Sequence, residues 1–250
     1  IPTAEFGVSV ANAQVKPIIE RALSRSPVRV RAYPGAHAEL IRAADLVLHP
    51  GSHGGAGERE GILRIARGLD EARRRAAPAT CRIALEITAG QGHSLGWRFD
   101  HFRAILDRVA DARGFGICFD TCHAFAAGWD LRTRTGFEEA IAALDRAVGL
   151  DRLTVFHIND SLTGLASRVD RHAPIGRGAI GREGFRAVMR DRRFRKVPMI
   201  LETPKEGAAE GVWDRRNLAV LRALRDGGRV PRLAGDASGG MSKDQCPMTN

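Results

Sequence analysis

"FGICFDTCHAFAAGWDLRT", residues 115–133, opens as an unbroken apolar run, stops at Asp120, and supplies His123 three residues later. Four other runs share its character: "DLVLH" (45–49), "RIALE" (82–86), "TVFH" (154–157) and "PMILE" (198–202). Each has the length of a strand and apolar side chains on both faces, the pattern of a strand buried in a parallel sheet. The segments between them read as helices. In 58–76, Ile62, Ile65, Ala66 and Leu69 fall on one stripe, and similar stripes occupy 99–110, 137–148, 183–194 and 214–225. The last residues of the five runs are 37, 34, 37 and 45 positions apart, enough for a crossover helix and its loops each time. Repeated right-handed βα units build either an open doubly wound sheet or a closed barrel. The run ends choose between them. His49, Glu86, Asp120, His157 and Glu202 all stand at carboxyl ends of strands, and only a barrel gathers such ends onto one face. The expected fold is therefore α/β, a (β/α)8 TIM barrel, incomplete or altered in its amino-terminal third.

The flanks divide the chain into three parts. Residues 45–226 hold the βα repeats. Residues 1–44 contain one helical stretch around "QVKPIIERALSR" and an alternating patch, "VRVRAY", but no βα unit of the same quality. From Gly227 onward Gly, Pro and small polar residues dominate, and 227–250 is expected to be a disordered tail. The chain begins at Ile1 without a basic flank or hydrophobic stretch, which suggests a processed or truncated start.

Composition excludes some classes and favours others. No apolar run reaches the roughly 20 residues that span a bilayer, so no membrane partner is expected. Cys81, Cys118, Cys122 and Cys246 lack the C-x2-C pairing of a structural zinc site and are too few for a disulfide scaffold, so they read as reduced thiols of a cytoplasmic, monomeric protein. A formal charge of +10, from 39 basic and 29 acidic residues, suits a polyanion partner. Only Lys16, Lys196, Lys205 and Lys243 of the basic residues are lysines, so part of this bias reflects arginine-rich composition.

The chemistry resides in His49, Glu86, Asp120, His123, His157, Asp170, His172 and Glu202. Zinc and manganese accept imidazole nitrogen together with carboxylate oxygen, and a mixed set at converging strand ends suits a multi-metal hydrolytic site. In "SRVDRH", Asp170 and His172 are two apart and share a side of an extended segment. A lone histidine at a strand end is more often structural, but four carboxylates buried together demand cations nearby. Glu86 is the candidate catalytic residue. Arg132, Arg168 and Arg171 flank the expected mouth as phosphate-contacting groups. His53 either orients a ligand or stabilises its loop; His93 and His101 read as surface residues. Gln91 and Asn159 donate either to ligand and substrate oxygens or to loop carbonyls, and Trp97 and Trp129 either stack on a bound partner or close the core.

Six motifs, "LHPGSH" (48–53), "LEITAGQGHSLGWRF" (85–99), "CFDTCHAFAAGWDLRT" (118–133), "FHINDS" (156–161), "SRVDRHAPIGRGAIGREGF" (167–185) and "ILETP" (200–204), closely resemble the endonuclease IV family of apurinic/apyrimidinic endonucleases. The resemblance covers roughly residues 44–225. It implies a (β/α)8 barrel that binds three Zn2+ ions and hydrolyses the phosphodiester 5′ to an abasic site in double-stranded DNA, leaving a 3′-hydroxyl. It implies His49 as a ligand of the first zinc, with Glu86 bridging the first and second. Asp120, His157 and Glu202 complete the second, and His123, Asp170 and His172 hold the third. It also implies that Cys118 and Cys122 are packed, reduced residues. One departure concerns a further histidine of the first zinc, expected on an earlier strand; His37, 12 residues before His49, is a poor match for it. The family's early strands and minor-groove loops are likewise expected to be missing, which would impair action on duplex DNA. Two other functions compete: a metal-dependent sugar isomerase of the same barrel superfamily, and a non-catalytic DNA-binding barrel fragment.

Overall fold

The computed structural model describes residues 45–75, 82–204 and 212–231. The expectations for residues 1–44, His37, Cys81, Cys246 and residues 232–250 lie outside the described residues. The centre is a parallel sheet in the order β1 (Asp45–Leu48), β3 (Arg82–Glu86), β5 (Phe115–Asp120), β6 (Leu153–His157) and β9 (Met199–Ile200). Neighbours in this sheet are successive βα units, as the repeat predicts. Two short antiparallel pairs sit beyond the strand ends: β2 (Gly51–Ser52) with β4 (Ser94–Leu95), and β7 (Asp160–Ser161) with β8 (His172–Ala173). The connecting helices are α1 (Glu58–Arg75), α2 (Phe99–Leu106), α3 (Thr121–Ala127), α4 (Arg134–Val148), α5 (Gly181–Arg190) and α6 (Val212–Asp226).

Strand alternation explains why both faces are apolar. Ile83, Leu85, Ile117, Phe119 and Phe156 point into the main core with Ile65 and Leu69 of α1, Phe102 of α2, Ile141 of α4 and Phe185 of α5. The intervening residues Ala84, Cys118 and Val155 form a second small cluster with Val47. Glu86, Asp120 and His157 each follow a member of that second cluster by two residues, so the alternation assigns them to the face away from the main core. Register then sets their relative height: Glu86 lies opposite Cys118, and Asp120 lies opposite His157.

Most boundaries agree with the periodicity. The helix read over 99–110 stops at Leu106, and the one read over 183–194 runs from Gly181 to Arg190 before a short 3-10 turn at Arg192–Phe194. The run 198–202 is strand only at Met199–Ile200, so Glu202 extends from the loop two residues beyond β9. Five parallel strands of a barrel stand among the described residues.

Candidate metal centre

Each strand end contributes its side chain through a different local device. Asp120 closes β5 and is also the N-cap of α3, where its Oδ1 accepts the His123 backbone N–H at 2.7 Å. That bond turns Oδ2 toward the site. The same helical turn lifts His123 over β3, where its Nδ1 lies 3.0 Å from the Ile87 carbonyl and 3.4 Å from Glu86 Oε1. His172 enters on β8 and is anchored by Nδ1 at 3.1 Å from the Glu202 carbonyl.

The eight predicted donors converge. His49 Nε2 is 3.2 Å from Glu86 Oε2, while Glu86 Oε1 is 2.8 Å from His157 Nδ1. Glu202 Oε2 reaches the same His157 nitrogen at 3.0 Å. Asp170 Oδ1 lies 3.1 Å from His123 Nε2 and 3.4 Å from His172 Nε2, and the two imidazoles are themselves 3.4 Å apart. Three groups of these donors have ligating atoms within 4.8 Å of one another: His49, Glu86 and His123; Glu86, Asp120, His157 and Glu202; and Asp120, His123 and His172; two further groups include a thiol, Glu86, Cys118 and His157, and Cys122, Asp170 and His172. Asp170 joins the third through its contacts with His123 and His172.

Charge balance tests whether this set fits cations. Glu86 and Asp120 are buried, and Glu202 and Asp170 partly so, yet among the described residues no arginine or lysine pairs with any of the four. The only groups paired with them that can carry positive charge are imidazoles. Burial pushes the Glu86 carboxyl up, but His157, His123 and His49 outweigh it and hold it well below its ordinary value. Burial likewise opposes charge on His123 and His157. Asp120, Asp170 and Glu86 nonetheless raise His123 well above the usual imidazole range, and Glu86 and Glu202 raise His157. The carboxylates thus favour positive charge among these imidazoles, and a cluster so rich in oxygen and nitrogen donors fits divalent cations.

Other predicted residues sort by their contacts. Asn159 is fully buried and belongs to the centre: Nδ2 donates to Asp120 Oδ2 at 2.6 Å, and Oδ1 accepts the Glu202 N–H at 2.8 Å. Thr121, which the sequence did not single out, bonds the Asn159 backbone on both sides, at 2.7 and 2.8 Å. Asp160 escaped notice as well. Its carboxylate accepts N–H groups from Ser161, Gly176, Gly178 and Ile180 at 2.8–3.0 Å, pinning the loop that leads into α5. A Cβ on Gly178 would run into the Ser161 carbonyl, so this packing requires glycine. The adjacent "ND" in "FHINDS" was the available signal for both Asn159 and Asp160.

His53 stabilises its loop: Nδ1 accepts the Gly55 N–H at 3.2 Å, and its ring tilts against exposed His93 at 4.7 Å. His101 corrects the surface reading. It is buried, its Nδ1 accepts the Gly96 N–H at 3.0 Å, and burial lowers its pKa, because α2 packs its first turn onto the Gly96 turn. Trp129 stacks on Phe99 at 4.9 Å and packs against the core. Cys118 and Cys122 are buried thiols, and burial pushes both up to about 12, which keeps them protonated and poor ligands. Arg132 forms a two-point pair with Asp130 at 2.7 and 2.8 Å; Arg168 and Arg171 are exposed on the loop carrying Asp170.

The sequence pattern of the family described as "Xylose isomerase-like TIM barrel" matches residues 37–224. A "Probable endonuclease 4" of Geobacter sp. (strain M21) is 43% identical over 215 residues, covering 84% of this chain and 75% of that protein. The chain belongs to the endonuclease IV family. The crystal structure of endonuclease IV from Thermus thermophilus is similar with a TM-score of 0.61 and 38% identity, covering 74% of this chain and 62% of that one. This chain thus spans less than two thirds of the Thermus protein. A D-tagatose 3-epimerase-like protein gives a TM-score of 0.60 over 90% of this chain and 75% of that one, but at 18% identity, which shows a shared fold alone. No helix among the described residues is long and apolar enough to cross a membrane.

Proposed function

We propose that this protein is a zinc-dependent phosphodiester hydrolase of DNA base-excision repair that cleaves duplex DNA 5′ to an abasic site and leaves a 3′-hydroxyl. The observation that carries the reading is the convergence of four carboxylates and four histidines with no arginine or lysine among the described residues to neutralise them. His49 and Glu86 would hold one ion, with Glu86 shared by a second held also by Asp120, His157 and Glu202. His123, Asp170 and His172 would hold a third. Bound divalent cations supply Lewis acidity, lowering the pKa of water and drawing charge from phosphate oxygens.

The chain's own residues supply the order that this chemistry needs. Glu86 is the shared carboxylate: one oxygen faces His49 and the other faces His157 and His123, so its loss uncouples two groups. Asp120 divides its oxygens between the α3 N-terminus and Asn159, which fixes its angle. The carbonyls of Ile87 and Glu202 take the Nδ1 protons of His123 and His172, presenting Nε2 of each toward the site. Arg168 and Arg171 contact backbone phosphates; Arg132 does so only by exchanging Asp130 for phosphate. The acting species is a monomer, in the cytoplasm.

Incision of a duplex oligonucleotide carrying one abasic site tests the reading. Cleavage 5′ to the lesion that a chelator stops and Zn2+ restores is expected. Cleavage unaffected by prolonged chelation, or binding without cleavage by zinc-loaded protein, overturns it.

A further inference from the structure

Asp170 differs from the other carboxylates of the centre. Its side chain is 40% exposed, against 7% for Glu86 and 0% for Asp120, so packing does not hold it in place. It rides on the β7–β8 loop, in which two residues that are not glycine, Ala166 and Arg168, adopt left-handed backbone with φ of 59° and 56°. Such residues hold this conformation only where their surroundings enforce it. Part of the enforcement is visible: their N–H groups donate to the Phe125 and Ala126 carbonyls at the end of α3, at 3.1 and 3.0 Å.

Thr163 Oγ1 braces the loop from within, 2.8 Å from Ser167 Oγ and donating to the Val169 carbonyl at 3.1 Å, and Trp97, in the turn between β4 and α2, packs on it from outside. The Arg168 guanidinium carbon lies 3.6 Å from the centre of the indole, close enough for a flat stack. Gly90, at φ 79°, closes the same packing, since a Cβ there would meet Trp97 Cγ at 2.9 Å and Arg168 Cδ at 3.2 Å. Next to Gly90, the Gln91 side-chain oxygen stands 3.5 Å from the Asp170 backbone nitrogen. Among the described residues no carboxylate pairs with Arg168, so the indole is its partner.

We propose that Trp97 is a positioning residue for the third cation: by stacking on Arg168 it holds residues 166–170 in their left-handed turn and keeps the Asp170 carboxylate beside His123 and His172. This assignment rests on the reading of Asp170 as a ligand. Zn2+ per chain, measured against a competing chelator without DNA, separates the two. Asp170→Ala should bind one equivalent fewer than the wild type. Trp97→Ala and Arg168→Ala should each weaken that same equivalent by about tenfold, the lower end for groups that orient a ligand. The double variant should lose no more than either single one. Trp97→Phe should restore most of the affinity, and on abasic duplex Trp97→Ala should lower kcat at nearly constant KM. Unchanged zinc affinity in Arg168→Ala, an exposed site whose substitution leaves the core untouched, overturns the proposal while Asp170→Ala still loses its equivalent. If Asp170→Ala loses none, the ligand reading falls and the proposal with it.

Discussion

The two ends of the sheet treat buried charge in opposite ways. At the amino end, Asp45 on β1 meets Arg82 on β3 in a two-point pair, both bonds at 3.0 Å, and accepts Thr154 Oγ1 from β6 at 3.2 Å. At the carboxyl end of the same strands, Glu86, Asp120 and Glu202 meet only imidazoles and one amide. The first arrangement is electrically closed by the chain itself. The second balances only when protons or external cations enter, and this difference separates a structural cluster from a site.

The largest break in that comparison comes from Glu86→Gln, which keeps shape but removes the shared charge. Incision of abasic duplex should fall to background and at least one zinc equivalent should be lost, as read by elemental analysis; a variant with full activity would remove Glu86 from the reaction.

Zinc and pH sharpen it next. At 100 times Kd, Zn2+ should stabilise the folded chain by about 2.7 kcal/mol, seen as a rise in Tm. In the metal-free protein the raised pKa values of His123 and His157 give stability that is complete below the unfolded imidazole value of 6.5 and lost as pH climbs through the folded values. Zinc must displace those protons. The zinc-induced shift in Tm should therefore grow as pH rises from about 6 to about 8, and a shift constant over that interval would show that the protons and the metal do not compete.

Asn159→Ala, which frees both Asp120 and Glu202, should cost about 10–100-fold in zinc affinity or turnover, measured by competition with a chromogenic chelator. The smallest effect belongs to the closed end. Asp45→Asn should lower stability by about 1 kcal/mol or less, because Arg82 is 44% exposed and solvent screens the pair, and should leave zinc content and incision unchanged. A loss of incision there would erase the contrast between the two ends.

The five strands could be read in advance because the middle of a strand covered on both faces is almost wholly apolar and polar residues gather at its ends. The change from Phe119 to Asp120, or from Leu85 to Glu86, therefore marks both the end of the strand and the start of the site. The histidines were harder to sort by type. His101 and His123 both lie in the first turn of a helix, yet one packs against the Gly96 turn and the other faces carboxylates; the burial of His101, which the sequence placed at the surface, came only from that packing. Asp160 was invisible for a related reason: its partners are backbone N–H groups of residues 161–180, which carry no side-chain signature.

Sequence alone determined the order of βα units, the family and the eight side chains that gather at the strand ends, because period-2 and period-3.6 burial and the choice of His, Asp and Glu are written in residue types. Tertiary structure decided which of these side chains lie within reach of one another and which groups orient them, together with the stacking of Arg168 on Trp97. Those facts depend on register between strands and on loop backbone angles, where displacements of an ångström or two change the partner of every polar atom.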